Sequence, residues 1–280
     1  MKNKAYTLIE LLSVIVILAI VSAIAVPRII DVIGMSKINA YNVSKKNIVK
    51  SAKLKYLADV NDSLITEYTV DDLITDGYLK KDIKNPITND NYKNTKVLIT
   101  NDGNNINYEY VEGKTLYDII IDLNDNDGLF KDDNNYIYKG ISANNYISFN
   151  GEIYRIVKVD SYRNIYLINN EIQNKISKEK IDEYLISYYN DNYSEIIKNN
   201  ILSVDILNYN DLINSFLDNE TFINSNNDIW VKDNNKYKVI SNLNNKIIDK
   251  NKANAIMVLK IKSSCVIKSG NGSQLNPYEI

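Results

Sequence analysis

Histidine does not occur in the 280 residues, cysteine and tryptophan occur once each, and proline occurs three times. The missing imidazole excludes Ser-His-Asp triads, Cys-His dyads, histidine general bases and His-ligated metal centres. No catalytic residue, cofactor or metal site is expected from the side chains that remain. Cys265 has no intrachain partner, so cysteine pairing says nothing about redox compartment. In the strand-like run from Met257 to Lys268 it reads as a small buried thiol. An excess of positive charge is also missing: 33 Lys and Arg stand against 35 Asp and Glu, which provides no field for phosphate backbones and makes nucleic acid an unexpected partner. The heavy use of Asn, Ile, Lys and Tyr is what an AT-rich genome encodes, and no mechanism follows from it.

At the N terminus, a short basic segment, Met1 to Ala5, precedes an apolar run from Leu8 to Val26 that is interrupted by one carboxylate, Glu10. The run is close to the length that spans a bilayer. Ser22-Ala23-Ile24-Ala25 imitates the small-residue end of a secretory signal, which is the alternative reading. Glu10 argues against that alternative, because a charge at mid-membrane costs on the order of 2.5 to 3.5 kcal/mol and less near a helix end. A carboxylate near a helix N-terminus is favoured by the helix dipole, and a cationic amine would compensate it further. Snorkelling towards the interface is the bland account of the same residue.

The segment Ala5-Tyr6-Thr7-Leu8-Ile9-Glu10-Leu11-Leu12 resembles the processing site of type IV prepilins and type II secretion pseudopilins. The resemblance implies cleavage by a prepilin peptidase between Ala5 and Tyr6, followed by N-methylation, although the family commonly has Gly and Phe at these two places. Glu10 would become the fifth mature residue, in the family's assembly role, and Pro27 the twenty-second, where a helix-bending proline is common. The implied partners are other pilin-like subunits, the peptidase and the membrane. The implied location is the cytoplasmic membrane, single-pass, with the C-terminal region outside on the cell surface or a filament. Charge count alone favours the opposite orientation, since Lys2 and Lys4 precede the span while Arg28, Lys37, Lys45, Lys46 and Lys50 follow it.

Beyond Pro27, apolar Ile29, Ile30, Val32, Ile33, Ile38, Tyr41, Ile48, Val49, Ala52, Tyr56 and Leu57 recur at mostly helical spacing, predicting an amphipathic stem. A capped short helix follows from Thr69 to Gly77, then an Asn85-Pro86 turn and strands over Lys96 to Thr100 and Asn107 to Val111. This order resembles a small pilin head. Asp125, Asp127 and Gly128 invite a calcium loop, but the register puts Leu123 and Asn134 where ligands are needed, so a solvated turn is expected. Further along, strands are predicted at Tyr146 to Phe149, Ile153 to Val159, Ile165 to Ile168 and Ala255 to Lys262. Helices over Glu183 to Asn200 and Asp205 to Leu217 are predicted to cover one face of the sheet. Tyr138-Lys139-Gly140, the run from Asn144 to Val157, and Ser269 to Ser273 with Asn276 to Tyr278 resemble a module of Gram-positive surface proteins.

The expected fold class is α+β: a leader over 1–5, a transmembrane and stem helix over 6–58, a pilin-like head over 59–112, a linker over 113–135 and a mixed α+β domain over 136–280. The function this organisation suggests is a minor pilin-like or pseudopilin subunit displaying an adhesive domain for a glycan or protein ligand. Three alternatives remain at this level. One is a surface-binding protein that is anchored but never assembled, and another is a competence pseudopilin touching DNA through Lys45, Lys46, Lys50, Lys53 and Lys55. The third is a hydrolase using carboxylates such as Glu152 and Asp160, although nothing in their spacing selects them.

Overall fold

The computed structural model describes residues 8–59, 65–101, 103–122, 128–132, 135–139, 143–215, 227–241 and 246–280. In chain order the elements are α1 Leu8–Ala58, β1 Ile65–Thr69, α2 Val70–Thr75, β2 Thr95–Asn101, β3 Ile106–Glu112 and α3 Leu116–Ile121. Next come β4 Leu129–Asp132, β5 Asn135–Tyr138, β6 Tyr146–Phe149, β7 Glu152–Val159, β8 Ile165–Ser177, α4 Ile181–Asn192 and α5 Glu195–Lys198. The chain continues with β9 Ile201–Ile206, α6 Tyr209–Ser215, β10 Ile229–Asp233, β11 Lys236–Ile240, β12 Ile247–Ile248, β13 Lys252–Ile261 and β14 Tyr278–Glu279. A long apolar helix followed by a sheet-rich mixed region is the α+β class expected from the sequence.

Two compact units divide this chain: Met1–Asn61 with Tyr68–Lys93, and Asp62–Glu67 with Asn94–Ile280. In the first, α1 packs with α2. The short helix forms where its cap predicts, because the Thr69 hydroxyl accepts from the Asp72 amide while the Asp72 carboxylate accepts from the Thr69 amide. Val70 and Leu73 are buried, and Gly77 ends the turn at φ +79°.

In the second unit, β2 and β3 form an antiparallel hairpin from Thr95 opposite Glu112 to Asn101 opposite Ile106. This hairpin groups with the C-terminal region, whereas the sequence reading placed it in a head with α2. The segment read as a linker over 113–135 holds α3 and β4. A second capping box, Thr115 with Asp118, starts α3, and Leu116 and Ile120, one helical turn apart, both enter the main core. The Asp- and Asn-rich composition concealed a short amphipathic helix. Asp125 and Asp127 lie outside the described residues.

Among the described residues the main sheet has 11 strands, in the order β12-β11-β10-β13-β8-β7-β5-β4, with β6 on β7, β14 on β6 and β9 on β13. Its centre is buried on both faces, as the alternation along β13 requires: Ala255, Met257, Leu259 and Ile261 join one core, Ile256 and Val258 the other. The first core is covered by α3 and by α4 through Ile181, Leu185 and Tyr188; the second is covered by α6 through Leu212. The two helices expected on one face are therefore on opposite faces. The second also starts later than predicted, since Ile201–Ile206 pairs with β13 as strand β9. The Asn208 side chain then accepts from the Asn210 and Asp211 amides and opens α6 at Tyr209. Leu217, its predicted end, lies outside the described residues.

The C-terminal segment turns at Gly270 and Gly272, both at positive φ. Gly270 has φ +98°, and a Cβ there would fall 2.0 Å from the Pro277 carbonyl oxygen, so only glycine lets the two backbone segments approach. Cys265 is buried, and desolvation pushes its thiol up to about 12, so it is an inert packing group as the sequence predicted.

Candidate assembly helix and membrane anchor

Between Leu8 and Val26 the side chains of α1 are exposed almost without exception and nearly all are apolar. Such a surface is not stable in water, and within α1 an apolar window long enough to cross a membrane has no buried share. Nineteen residues at 1.5 Å each give about 28 Å, which matches the hydrocarbon thickness of a bilayer. Glu10 sits in the first turn of the described helix, exposed among Leu8, Ile9, Leu11 and Leu12. One turn on, Ser13 Oγ donates back to the Ile9 carbonyl at 2.8 Å and hides its polarity inside the helix.

Pro27 lies inside α1, and the helix runs on through it to Ala58. Having no N–H, it leaves the Ala23 carbonyl without the usual bond from four residues ahead. Ala5 and Tyr6 lie outside the described residues.

The distal part of α1 has a different surface. Ile48, Ala52 and Tyr56, four residues apart, are buried, while Ile29, Ile30, Val32, Ile33 and Ile38 stay exposed and Leu57 points off the stripe. The stem face read from the sequence is thus buried only over its last turns. Polar contacts within the same unit fix it there: Tyr92 Oη bonds Ser44 Oγ at 2.7 Å, and Ser51 Oγ donates to the Tyr78 carbonyl at 2.9 Å. Lys55 pairs with Asp76 at 2.6 Å and Asp59 at 3.2 Å, and its amine lies over the Tyr68 and Tyr78 rings. The hydrogen bond to Asp76, aided by Asp59, holds that amine well above its ordinary range. Lys55 is therefore committed to structure, and the basic cluster proposed for DNA contact retains Lys45, Lys46, Lys50 and Lys53 on an exposed face.

The carboxylates considered for hydrolysis are not brought together. Glu152 opens β7 and accepts from Tyr154 Oη at 2.9 Å; Asp160 follows the strand's other end, accepting from the Tyr162 and Asn164 amides and pairing with Lys260 at 2.8 Å. Eight residues of strand separate them by about 26 Å, against the 5 to 9.5 Å or so that paired-carboxylate hydrolysis needs.

The tyrosines include a buried cluster that composition alone does not locate. Tyr154 and Tyr193 each pack against Phe149 and Tyr188 packs against Tyr193, with Tyr154 Oη and Tyr193 Oη 3.1 Å apart. Desolvation raises the phenols of Tyr154 and Tyr193, so this cluster is core rather than a display surface. A second internal feature is ionic. Lys96, 8% exposed, bonds Asp118 at 2.6 Å and Glu67 at 3.0 Å, and Glu67 also receives Arg163, whose guanidinium lies over Tyr117. Burial opposes ionisation of Asp118, but Lys96 and the Thr115 cap outweigh it and hold the carboxyl low.

Residues 1–26 match a family model described as the prokaryotic N-terminal methylation motif. Motif and helix together support a type IV pilin-like protein. The motif implies processing by the prepilin peptidase and assembly with other pilin subunits, and the exposed apolar helix fits membrane anchoring and a surface filament. No curated protein and no solved structure matches the chain.

Proposed function

We propose that the chain is a minor subunit of a type IV pilus or type II secretion-type filament and carries its second unit as an extracellular adhesive or interaction domain. The observation that carries this reading is the pairing of a methylation motif over residues 1–26 with an exposed apolar helix that has one carboxylate in its first turn. A helix of this kind serves two solvents in turn, lipid before assembly and the apolar flanks of sibling helices afterwards, so its surface stays apolar all round. Low copy number follows from bulk. A unit running from Asn94 to Ile280, with an 11-stranded sheet of its own, is hard to repeat along a closely packed shaft. The C-terminal region is the part that meets a ligand, and the protein acts by binding, without catalysing a reaction.

Gold-labelled antibody against the second unit, applied to intact cells, tests the copy number and the orientation together. Sparse label at filament tips or at isolated points along filaments is expected. Dense, regular label along every filament would identify a major subunit, and label confined to permeabilised cells would place the C-terminal region inside.

A further inference from the structure

The end of the β8–β13 ladder and one flank of α4 enclose an open groove of about 460 Å³. Its walls follow from two periodicities. On the sheet side, Ser177 stands directly opposite Lys252, and Lys175, two residues back along β8 beside a bulge, lines the same groove. On the helix side, Lys180, Glu183, Tyr184 and Ser187 follow one another at spacings of three, one and three, a single stripe beside the buried stripe of Ile181, Leu185 and Tyr188.

The groove's charges are unbalanced. Lys158, Lys198, Lys232, Lys238, Lys250 and Lys260 each pair with a carboxylate. Lys175, Lys180 and Lys252 make no ion pair among the described residues, although all three line one groove and Glu183 lies between them. Three cations against one anion give a concave positive surface in a chain whose net charge is −2. Ser177 adds a hydroxyl and Tyr184 a partly buried ring. Ser187 donates its proton to Asp191 at 2.6 Å, which leaves it as an acceptor and sets a second carboxylate at the rim.

We infer that this groove binds an anionic saccharide, a sugar of one or two rings bearing a carboxylate or phosphate. The volume is in the range of small-ligand sites. Three ammonium groups suit an acid group without fixing its geometry, the hydroxyls suit sugar hydroxyls, and the Tyr184 ring offers an apolar face to a pyranose. Glu183 disfavours neutral sugars less than acidic ones, so it sets an upper limit on affinity and is a lever for the test. The inference rests on the proposed display function only in supposing that the second unit meets its ligand outside the cell.

The test is calorimetric titration of the full chain in non-ionic detergent with digalacturonate, mannose phosphate and maltose. One acidic sugar is expected to bind while maltose does not, and the arm that responds identifies carboxylate or phosphate as the recognised group. The Lys175→Gln, Lys180→Gln, Lys252→Gln triple variant should bind about tenfold more weakly. Its circular dichroism should be unchanged, because the substituted side chains are exposed. Glu183→Gln should tighten binding. Failure of both acids to bind, equal binding of maltose, or wild-type affinity in the triple variant would each overturn the assignment. None of these results depends on filament assembly, so the groove and the filament reading can fail separately.

Discussion

Glu10→Gln is expected to leave the chain in the membrane at normal abundance and to abolish its recovery with sibling subunits. Removing the charge lowers the cost of holding this position among lipid tails, which is on the order of 2.5 to 3.5 kcal/mol for a charge at the centre of the bilayer and less at a helix end. Insertion therefore does not suffer. Assembly does, because the carboxylate offers a charge that a neighbour's terminal amine can neutralise where water is excluded. Breaking such a pair costs about 3 to 5 kcal/mol, a factor of roughly 150 to 4,000 in association. Glu10→Asp keeps the charge but shortens its reach and should assemble partially. Affinity recovery of tagged chain from crosslinked membranes reads both outcomes. Undiminished recovery of siblings with Glu10→Gln would show that association does not run through this carboxylate and would contradict its assembly role.

Trp230→Ala is expected to have the largest effect on the second unit's stability. The indole is 1% exposed, stands opposite Val239 on β11, and donates Nε1–H to the Ile176 carbonyl at 2.9 Å. Truncating a buried Trp costs about 3 to 5 kcal/mol through lost burial and an unfilled cavity. The Ile176 carbonyl also loses a donor. Against a typical domain stability of about 5 to 15 kcal/mol, much of the margin disappears. Trp230→Phe keeps most of the packing and loses the hydrogen bond, so it should cost about 1 to 2 kcal/mol. Urea unfolding of the full chain in detergent, followed by near-ultraviolet circular dichroism, measures both. A midpoint unmoved by Trp230→Ala would contradict the placement of Trp230 in the core, and Glu10→Gln should leave the same midpoint where it is.

The sequence exposed those parts of the fold that local chemistry decides. Thr69 and Gly77 bracket a short helix because a cap hydroxyl and a residue free to take positive φ act within a few residues of themselves. Asn150 and Gly151, both at positive φ, made the β6–β7 hairpin readable for the same reason. The apolar run with Glu10 was legible because lipid imposes a composition over a whole span. Long-range partition was harder to see. The β2–β3 hairpin reads as part of a small head until its grouping with residues 94–280 is known, and Leu116 and Ile120 are too few to reveal α3 within an acidic, Asn-rich stretch. Strand β9 was hidden because Ile201, Val204 and Ile206 fit a helical period nearly as well as an alternating one, and only pairing with β13 decides between them.

The groove was illegible for a different reason. Lys175, Lys180 and Lys252 are separated by up to 77 residues, and their meeting depends on the register that sets Lys252 opposite Ser177. A stripe such as Lys180, Glu183, Tyr184 and Ser187 reads by itself as an ordinary solvated helix face. Glu152 and Asp160 make the converse point: eight residues apart in sequence, they are held at opposite ends of one strand.

Intact-mass analysis of the chain extracted from its native membrane bears most directly on the pilin-like account. A polypeptide beginning at Tyr6, five residues shorter than the unprocessed chain and carrying one methyl group on its new terminal amine, is the expected species. A chain beginning after Ala25, or one retaining Met1, would mean that the apolar segment serves secretion or simple anchoring and that no filament is built from it.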